Sequence, residues 1–259
     1  MNLKTKDEIQ RMREAGLLLW QAHELAASLV VEGIATAEID ASVDEFITVR
    51  NAVALFKGVP GRVPYPAATC ISVNEQVVHG IPSPRKLRGG DIVSIDIGLK
   101  LNGWCADAAV THPVGAIDAQ KAQLLEVTGD ALRYAVGRLA DQVRWSRIAR
   151  AMQKRVERHG FSVVRNLVGH GIGREMWEWP EVPNYWNKNL TDFRLRPGMV
   201  LAIEPMINIG GKAVKICNDH WTIVTRDAKP SAHFEHTVAV TAEGPQVLTC
   251  GPGGEGWTI

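Results

Sequence analysis

The chain carries the same segment twice, and that repeat constrains the fold more than any other feature. Residues 87–96 read LRGGDIVSID and residues 195–204 read LRPGMVLAIE. Leu, Arg, Gly and Ile coincide, the apolar positions coincide, and each block ends on a carboxylate, Asp96 or Glu204. Upstream, VHGIPS (78–83) answers GHGIGR (169–174), so each block is preceded by His-Gly-Ile. Downstream, Asp107 and Glu235 each lead into a short apolar run that ends in Thr. Three blocks in one order mark an internal duplication.

Each half then reads helix, helix, and strands carrying a His and two carboxylates. The first begins with TKDE (5–8), a capping-box signature, followed by Ile9, Met12, Leu19, Ala22 and Ala26 at helical spacing. A second helix is expected from Thr36, a third over about 118–139, and a fourth from about Ser146 to Gly160. Strands are expected at TCISV (69–73), DIVSIDIG (91–98), the run to VTHPVG (110–115), FSVVRNL (161–167), GMVLAIEPMI (198–207), WTIVT (221–225) and HTVAVT (236–241). The fold class is therefore α+β, mainly antiparallel strands with helices on one face. The halves, about 1–116 and 117–250, would form one domain with polar residues of both meeting at its centre. A glycine-rich tail, 251–259, follows.

The 259 residues, 46% of them apolar, suffice for a large core. With 29 basic and 28 acidic residues the net charge is +1, which gives no electrostatic support for a nucleic-acid partner. The longest apolar runs, such as GLLLW (16–20), are too short to span a bilayer, and the charged N-terminus has no signal-peptide core. A cytoplasmic protein is expected. Cys70, Cys105, Cys217 and Cys250 form no C-x-x-C unit and read as free thiols.

Asp96 and Asp107 flank DIGLKLNGWCAD. Asn102-Gly103 is a strong hairpin signal, and with those two residues as the turn Gly98 falls opposite Asp107. Asp96, two residues from Gly98, then lies on the same face as Asp107. Two like charges held so close repel unless a cation sits between them. Glu204 ends an equally apolar strand, where a lone buried carboxylate needs a metal or cationic partner. Glycines beside His170 let the backbone approach a bound group. Glu235 sits in HFEHT. Four carboxylates and one imidazole make a hard donor set that suits Mn, Fe, Co or Zn ions in a bridged pair, not a thiolate zinc site. Two such ions roughly 3.5–4 Å apart serve hydrolysis of a polarised carbonyl.

Asp96, Asp107, His170, Glu204 and Glu235, in this order and spacing, resemble the five metal ligands of the methionine aminopeptidases. CISVNEQVVHGIPS, GHGIGRE, VLAIEPM and FEHTVAVT resemble signatures of that family, and the likeness runs from about residue 3 to 249. It is closest in kind to the short bacterial type I members of the M24 metallopeptidases. The resemblance implies a pita-bread fold of two pseudo-symmetric halves, and two divalent metal ions. Asp107, His170, Glu204 and Glu235 would hold one, Asp96, Asp107 and Glu235 the other. Glu204 would help deprotonate the nucleophile and His79 would hydrogen-bond the scissile amide. Tyr65, Cys70, Met176 and Trp221 would line the pocket for the methionine side chain, and His79 and Trp177 would also contact the substrate. The implied reaction is removal of an initiator methionine before a small second residue. Expected partners are peptides or nascent chains with N-terminal methionine, with the ribosome as a candidate. The protein is expected to be a monomer that contacts no membrane.

The family pattern H-G-I-G-x-x-[aromatic or Met]-H-E departs here to HGIGREMWE. Trp177 stands where the resemblance expects a second catalytic histidine. Indole keeps one N–H donor but can neither accept nor deliver a proton, and losing one donor to an oxyanion costs about 10²–10³ in rate. Trp177 would either crowd the substrate's second residue, or rotate aside or stack with Trp179 or Trp186 and leave weak activity. His233 stands where the family often has Gln, and Arg62 where an aromatic often lines the rim. The alternative to a normal enzyme is thus an impaired metal- and peptide-binding module, or an aminopeptidase of different specificity.

Overall fold

The computed structural model describes residues 2–189 and 191–256. Two helices, α1 (Lys6–Leu29) and α2 (Thr36–Thr48), precede strands β1 (Val53–Ala54), β2 (Thr69–Val73), β3 (Gln76–Val78), β4 (Ile92–Leu101) and β5 (Trp104–Pro113). Helices α3 (Ala119–Val136) and α4 (Trp145–Arg158) open the second half. It continues with β6 (Ser162–Val163), β7 (Gly169–Gly171), β8 (Glu178–Val182), β9 (Val200–Ile203), β10 (Met206–Asn208), β11 (Val214–Ile216), β12 (Ile223–Thr225), β13 (Ser231–His233), β14 (Glu235–Thr241) and β15 (Gly244–Val247). The capping box at Thr5 and Glu8 starts α1, and the Asp118 carboxylate caps α3. Among the described residues no helix is long and apolar enough to cross a membrane.

Antiparallel pairing builds a nine-stranded sheet in the order β1-β4-β5-β14-β9-β7-β8, with β2 also on β4 and β15 on β14. Two three-stranded sheets, β13-β10-β6 and β11-β12-β3, flank it. Alternation along β4 decides which face is wet. Val93, Ile95, Ile97 and Leu99 enter one core with Leu19, Ala22, Ile39 and Val43 of α1 and α2. The intervening Ser94, Asp96 and Gly98 face away from those helices. A second core joins Leu201, Ile203 and Val238 to Leu124, Leu132, Ile148 and Met152 of α3 and α4.

The duplication extends to single hydrogen bonds. Gly33 N–H donates to Leu87 C=O, and Gln142 N–H donates to Leu195 C=O. An isolated bridge joins Ala35 to Lys86 before α2, and its counterpart joins Arg144 to Arg194 before α4. Gly90 and Gly198, one in each repeated block, have φ of 90° and 92°, a conformation glycine adopts without penalty.

The structure differs from the sequence reading in two places that matter to the site. GMVLAIEPMI is not one strand: β9 ends at Ile203 and β10 begins at Met206 in another sheet. Pro205 has no N–H to continue the ladder. In FSVVRNL only Ser162–Val163 is strand, and Leu167 turns into the cavity described below. In the glycine-rich tail, residues 251–256 form a turn held by the Arg13 guanidinium, which donates to the carbonyls of Leu248, Cys250 and Gly251. Residues 257–259 lie outside the described residues.

Candidate metal centre

Four of the five acid and imidazole residues lie on neighbouring strands and Glu204 directly follows β9, so strand register brings them to one face. Asn102 and Gly103, with φ of 50° and 82°, close the β4–β5 hairpin and pair Gly98 with Asp107. Ala109 of β5 faces Asp96 on one side and Glu235 on the other. Asp107, two residues before Ala109, therefore sits diagonally between both carboxylates. On β14 His236 pairs with Ile203, so the next step of that register sets Glu204 opposite Glu235. His170 of β7 pairs with Ala202, two residues from Glu204. The order across the sheet is Asp96, Asp107, Glu235, Glu204, His170.

One ligand atom each from Asp107, His170 and Glu235 lies within 4.8 Å of the others. His170 Nε2 is 3.6 Å from Asp107 Oδ2 and 3.7 Å from Glu204 Oε1. His170 Nδ1 lies 2.9 Å from the Gly171 carbonyl, which orients the ring so that Nε2 faces the acids. Burial, then the charges of Asp107 and Glu204, push the Asp96 carboxyl far above the usual range. Burial and the same kind of crowding, by Asp107, Glu204 and Asp96, do the same to Glu235. Burial raises Glu204 to about 8 against the lowering effect of His170. In His170 burial, which lowers the pKa, is outweighed by Asp107 and Glu204, and the ring rises to about 8. Asp96 Oδ1, Asp107 Oδ1 and Glu235 Oε1 are buried and have no hydrogen-bond partner. A cluster of buried, mutually repelling carboxylates with orphaned oxygens fits a divalent cation, and the all-oxygen-and-imidazole donors fit a hard one.

The cluster floors a cavity of about 540 Å³ lined by every sequence-assigned contact residue: Tyr65, Cys70, His79, Met176, Trp177 and Trp221. Tyr65 OH donates within reach of the Thr69 and Gly80 carbonyls, which locks its ring. Trp221 Nε1–H donates to Val63 C=O at 2.7 Å, and its ring meets Tyr65 edge-on at 5.3 Å. Gly98 is there for closeness: a Cβ would lie 2.8 Å from Met176 Cε and 3.4 Å from Asp107 Oδ1. Burial and then Asp96 push the Cys70 thiol well up, so it is no nucleophile. His79, in a left-handed turn with φ of 56°, is lowered to about 4 by burial and stays neutral.

Trp177 occupies the cavity mouth and is 57% exposed. It does not stack on Trp179 or Trp186, contrary to one of the sequence expectations. Trp179 tilts against Phe193, and Trp186 lies under the Arg150 guanidinium. Trp177 instead meets His170 edge-on, with centroids 6.4 Å apart. Its loop is held by Glu178, whose Oε1 accepts from Arg174 N–H and whose Oε2 takes the largely buried Lys4 ammonium at 2.5 Å. Arg62 is exposed. Sequence reasoning missed Phe56, Val59, Leu167 and Met206, apolar residues whose only signal was hydrophobicity. It also noted His233 only as a departure; the ring lies beside Glu204 and Glu235, at 3.8 and 4.0 Å.

Curled antiparallel sheet, helices behind it and an acid–imidazole floor define a pita-bread metallohydrolase. The pattern of metallopeptidase family M24 matches residues 10–242. Methionine aminopeptidase 1 of Bacillus subtilis is 47% identical over 246 residues, covering 95% of this chain and 98% of that protein. The Escherichia coli methionine aminopeptidase is 38% identical over 251 residues, covering 96% and 94%. The solved methionine aminopeptidase of Thermotoga maritima superposes with a TM-score of 0.91 at 40% identity, covering 96% of this chain and 99% of that one. The prolidase of Pyrococcus horikoshii, at 23% identity and a TM-score of 0.77, shares the fold. The chain belongs to the M24 metallopeptidases, among the methionine aminopeptidases.

Proposed function

We propose that this protein is a metal-dependent aminopeptidase that hydrolyses the first peptide bond of chains beginning with methionine, with a small second residue. The observation that carries the reading is the line of five donors, on adjacent strands and at the end of β9, beneath an apolar cavity in a chain of this family. Asp107 and Glu235, at the middle of the line, would bridge two divalent cations. Asp96 would complete one site, His170 and Glu204 the other. Bound there, the metal supplies a Lewis acid that polarises the scissile carbonyl and lowers the pKa of water.

The protein's own residues do the rest. Tyr65, Cys70, Met176 and Trp221 would enclose the unbranched thioether side chain. Glu204, at the edge of the metal site, would take a proton from the attacking water. The water oxygen bonds to the carbonyl carbon, the C–N bond breaks, and the proton passes to the leaving amine. Neutral His79 would hold that amide nitrogen by a hydrogen bond. Trp177 offers a single N–H at the mouth where a second imidazole would serve, so turnover would be lowered or specificity shifted. Residues 1–250 would act as one catalytic unit. The substrates would be cytoplasmic peptides or nascent chains, met by a monomer, at the ribosome or free of it.

The test is cleavage of Met-Ala-Ser by purified protein with added Mn²⁺ or Co²⁺, beside Trp177→His. Cleavage by the native protein supports the enzyme. A second reading, a disabled peptidase that binds metal and peptide, is favoured by Trp177 itself. An inert native protein with an active Trp177→His variant would establish it.

A further inference from the structure

His233 has no part in the mechanism above, yet it is buried against two of the acids. Its place is fixed from the backbone: its N–H donates to Thr111 Oγ1 at 2.9 Å, and its carbonyl accepts from the same hydroxyl at 2.7 Å. Pairing of β13 with β10 sets it opposite Met206, just beyond the Glu204-Pro205 break. The ring is 2% exposed and its Nε2 has no hydrogen-bond partner. An orphaned buried ring nitrogen is costly, so its partner must be near. The nearest carboxylate oxygens are Glu204 Oε2 at 3.8 Å and Glu235 Oε2 at 4.0 Å.

The two oxygens of Glu204 thus face different imidazoles. Oε1 is 3.7 Å from His170 Nε2, on the side of the cluster where Asp107, His170 and Glu235 converge. Oε2 looks to His233, which is outside that convergence and does not line the cavity. A side chain behind the acids, shut off from substrate, suits a hydrogen-bond donor better than a metal ligand.

We propose that His233 is a positioning residue whose Nε2–H donates to the outer oxygen of Glu204 and holds that carboxylate turned toward the cation. The 3.8 Å separation is a small side-chain adjustment away from a hydrogen bond. An amide at the same position would also donate; an apolar ring would not. The inference rests on the metal-site reading above.

The test is Mn²⁺ binding by calorimetry for the native protein, His233→Gln and His233→Phe, with thermal unfolding of each metal-free variant. Removing a partner of a ligating group typically weakens metal affinity about 10–100-fold. The expected result is that loss for Phe and near-native affinity for Gln. Native-like affinity in folded Phe would overturn the assignment, as would Gln losing as much as Phe. If the native protein bound no Mn²⁺, the metal-site reading itself would fall. Should Phe not fold, the native protein decides the matter by ring ¹⁵N NMR with Zn²⁺ bound. A proton on His233 Nε2 supports the proposal, and a bare Nε2 sinks it.

Discussion

The two halves of the molecule lay down the same strand pair, but close it differently. In the first half β4 returns into β5 through Asn102 and Gly103 alone. In the second half β9 stops at Ile203, and the chain does not rejoin the sheet until Glu235 opens β14. The excursion between them holds β10 to β13 and brings Trp221 to the cavity and His233 to the acids. The symmetric part of each half therefore delivers carboxylates by register, while the asymmetric part adds Met206 and Trp221 to a cavity wall drawn mostly from the rest of the chain, and sets His233 beside Glu204.

The largest expected effect tests the shared part. Glu235→Gln and Asp107→Asn keep shape but remove a central anionic donor. Each should cost several kcal/mol of transition-state stabilisation, about 10³-fold or more in kcat/KM. Calorimetry with Mn²⁺ should show the matching loss of binding. Near-native turnover in either variant would remove the metal line from the mechanism.

Next comes the loop that departs from the family pattern. Trp177→His should raise kcat for Met-Ala-Ser by up to about 10²-fold, the worth of one preorganised donor. Mn²⁺ affinity should stay level, because Trp177 contacts His170 only edge-on at 6.4 Å. An unchanged kcat would mean that the mouth is not where this site differs from its relatives.

The excursion is tested more gently. Trp221→Ala deletes the ring against Tyr65 and the bond to Val63. KM for a methionyl peptide should rise about 10-fold, or about 1.4 kcal/mol, with kcat little changed. A fall in kcat with KM intact would instead tie Trp221 to the chemistry through His79, whose ring meets it edge-on at 6.5 Å.

Most of the shared part was legible in the sequence, because register is a local property. Asn102-Gly103 predicts the pairing of Gly98 with Asp107, and the repeat predicts which strands carry the acids. The asymmetric part was legible only in the strand at WTIVT and, through the resemblance, in Trp221. Nothing local says that Pro205 sends the chain into a second sheet, or that a strand of three residues returns His233 to Glu204. Strands β7, β11 and β13, of three residues each, are too short for alternation to show. Trp177 was legible as a departure but not in its pose, because stacking partners are chosen by loops far apart in sequence.

The smallest effect, read in the metal-free protein, asks whether the acids and the buried histidines pull in opposite directions. Asp96, Glu204 and Glu235 have raised folded-state pKa values, and so does His170. A raised value contributes stability that is present at low pH and lost as pH climbs to the folded value, about 8 for Glu204. His23 and His233 are lowered to about 3, and His79, His112 and His236 to about 4, all chiefly by burial. Their contribution is present above the ordinary histidine value of about 6.5 and is lost as pH falls below it. Metal-free Tm should therefore peak near pH 6.5 and fall on both sides, by about 1.4 kcal/mol per pH unit for each proton exchanged. That is roughly 2–4 °C per kcal/mol in a chain of this length. Saturating Mn²⁺ should flatten the alkaline limb, since the cation takes the place of the retained protons, and steepen the acid limb, where protons displace the cation while the histidines charge. A metal-free Tm that rises from pH 6.5 to 8 would show that the acids are not crowded, and would take with it the reason for placing a cation among them.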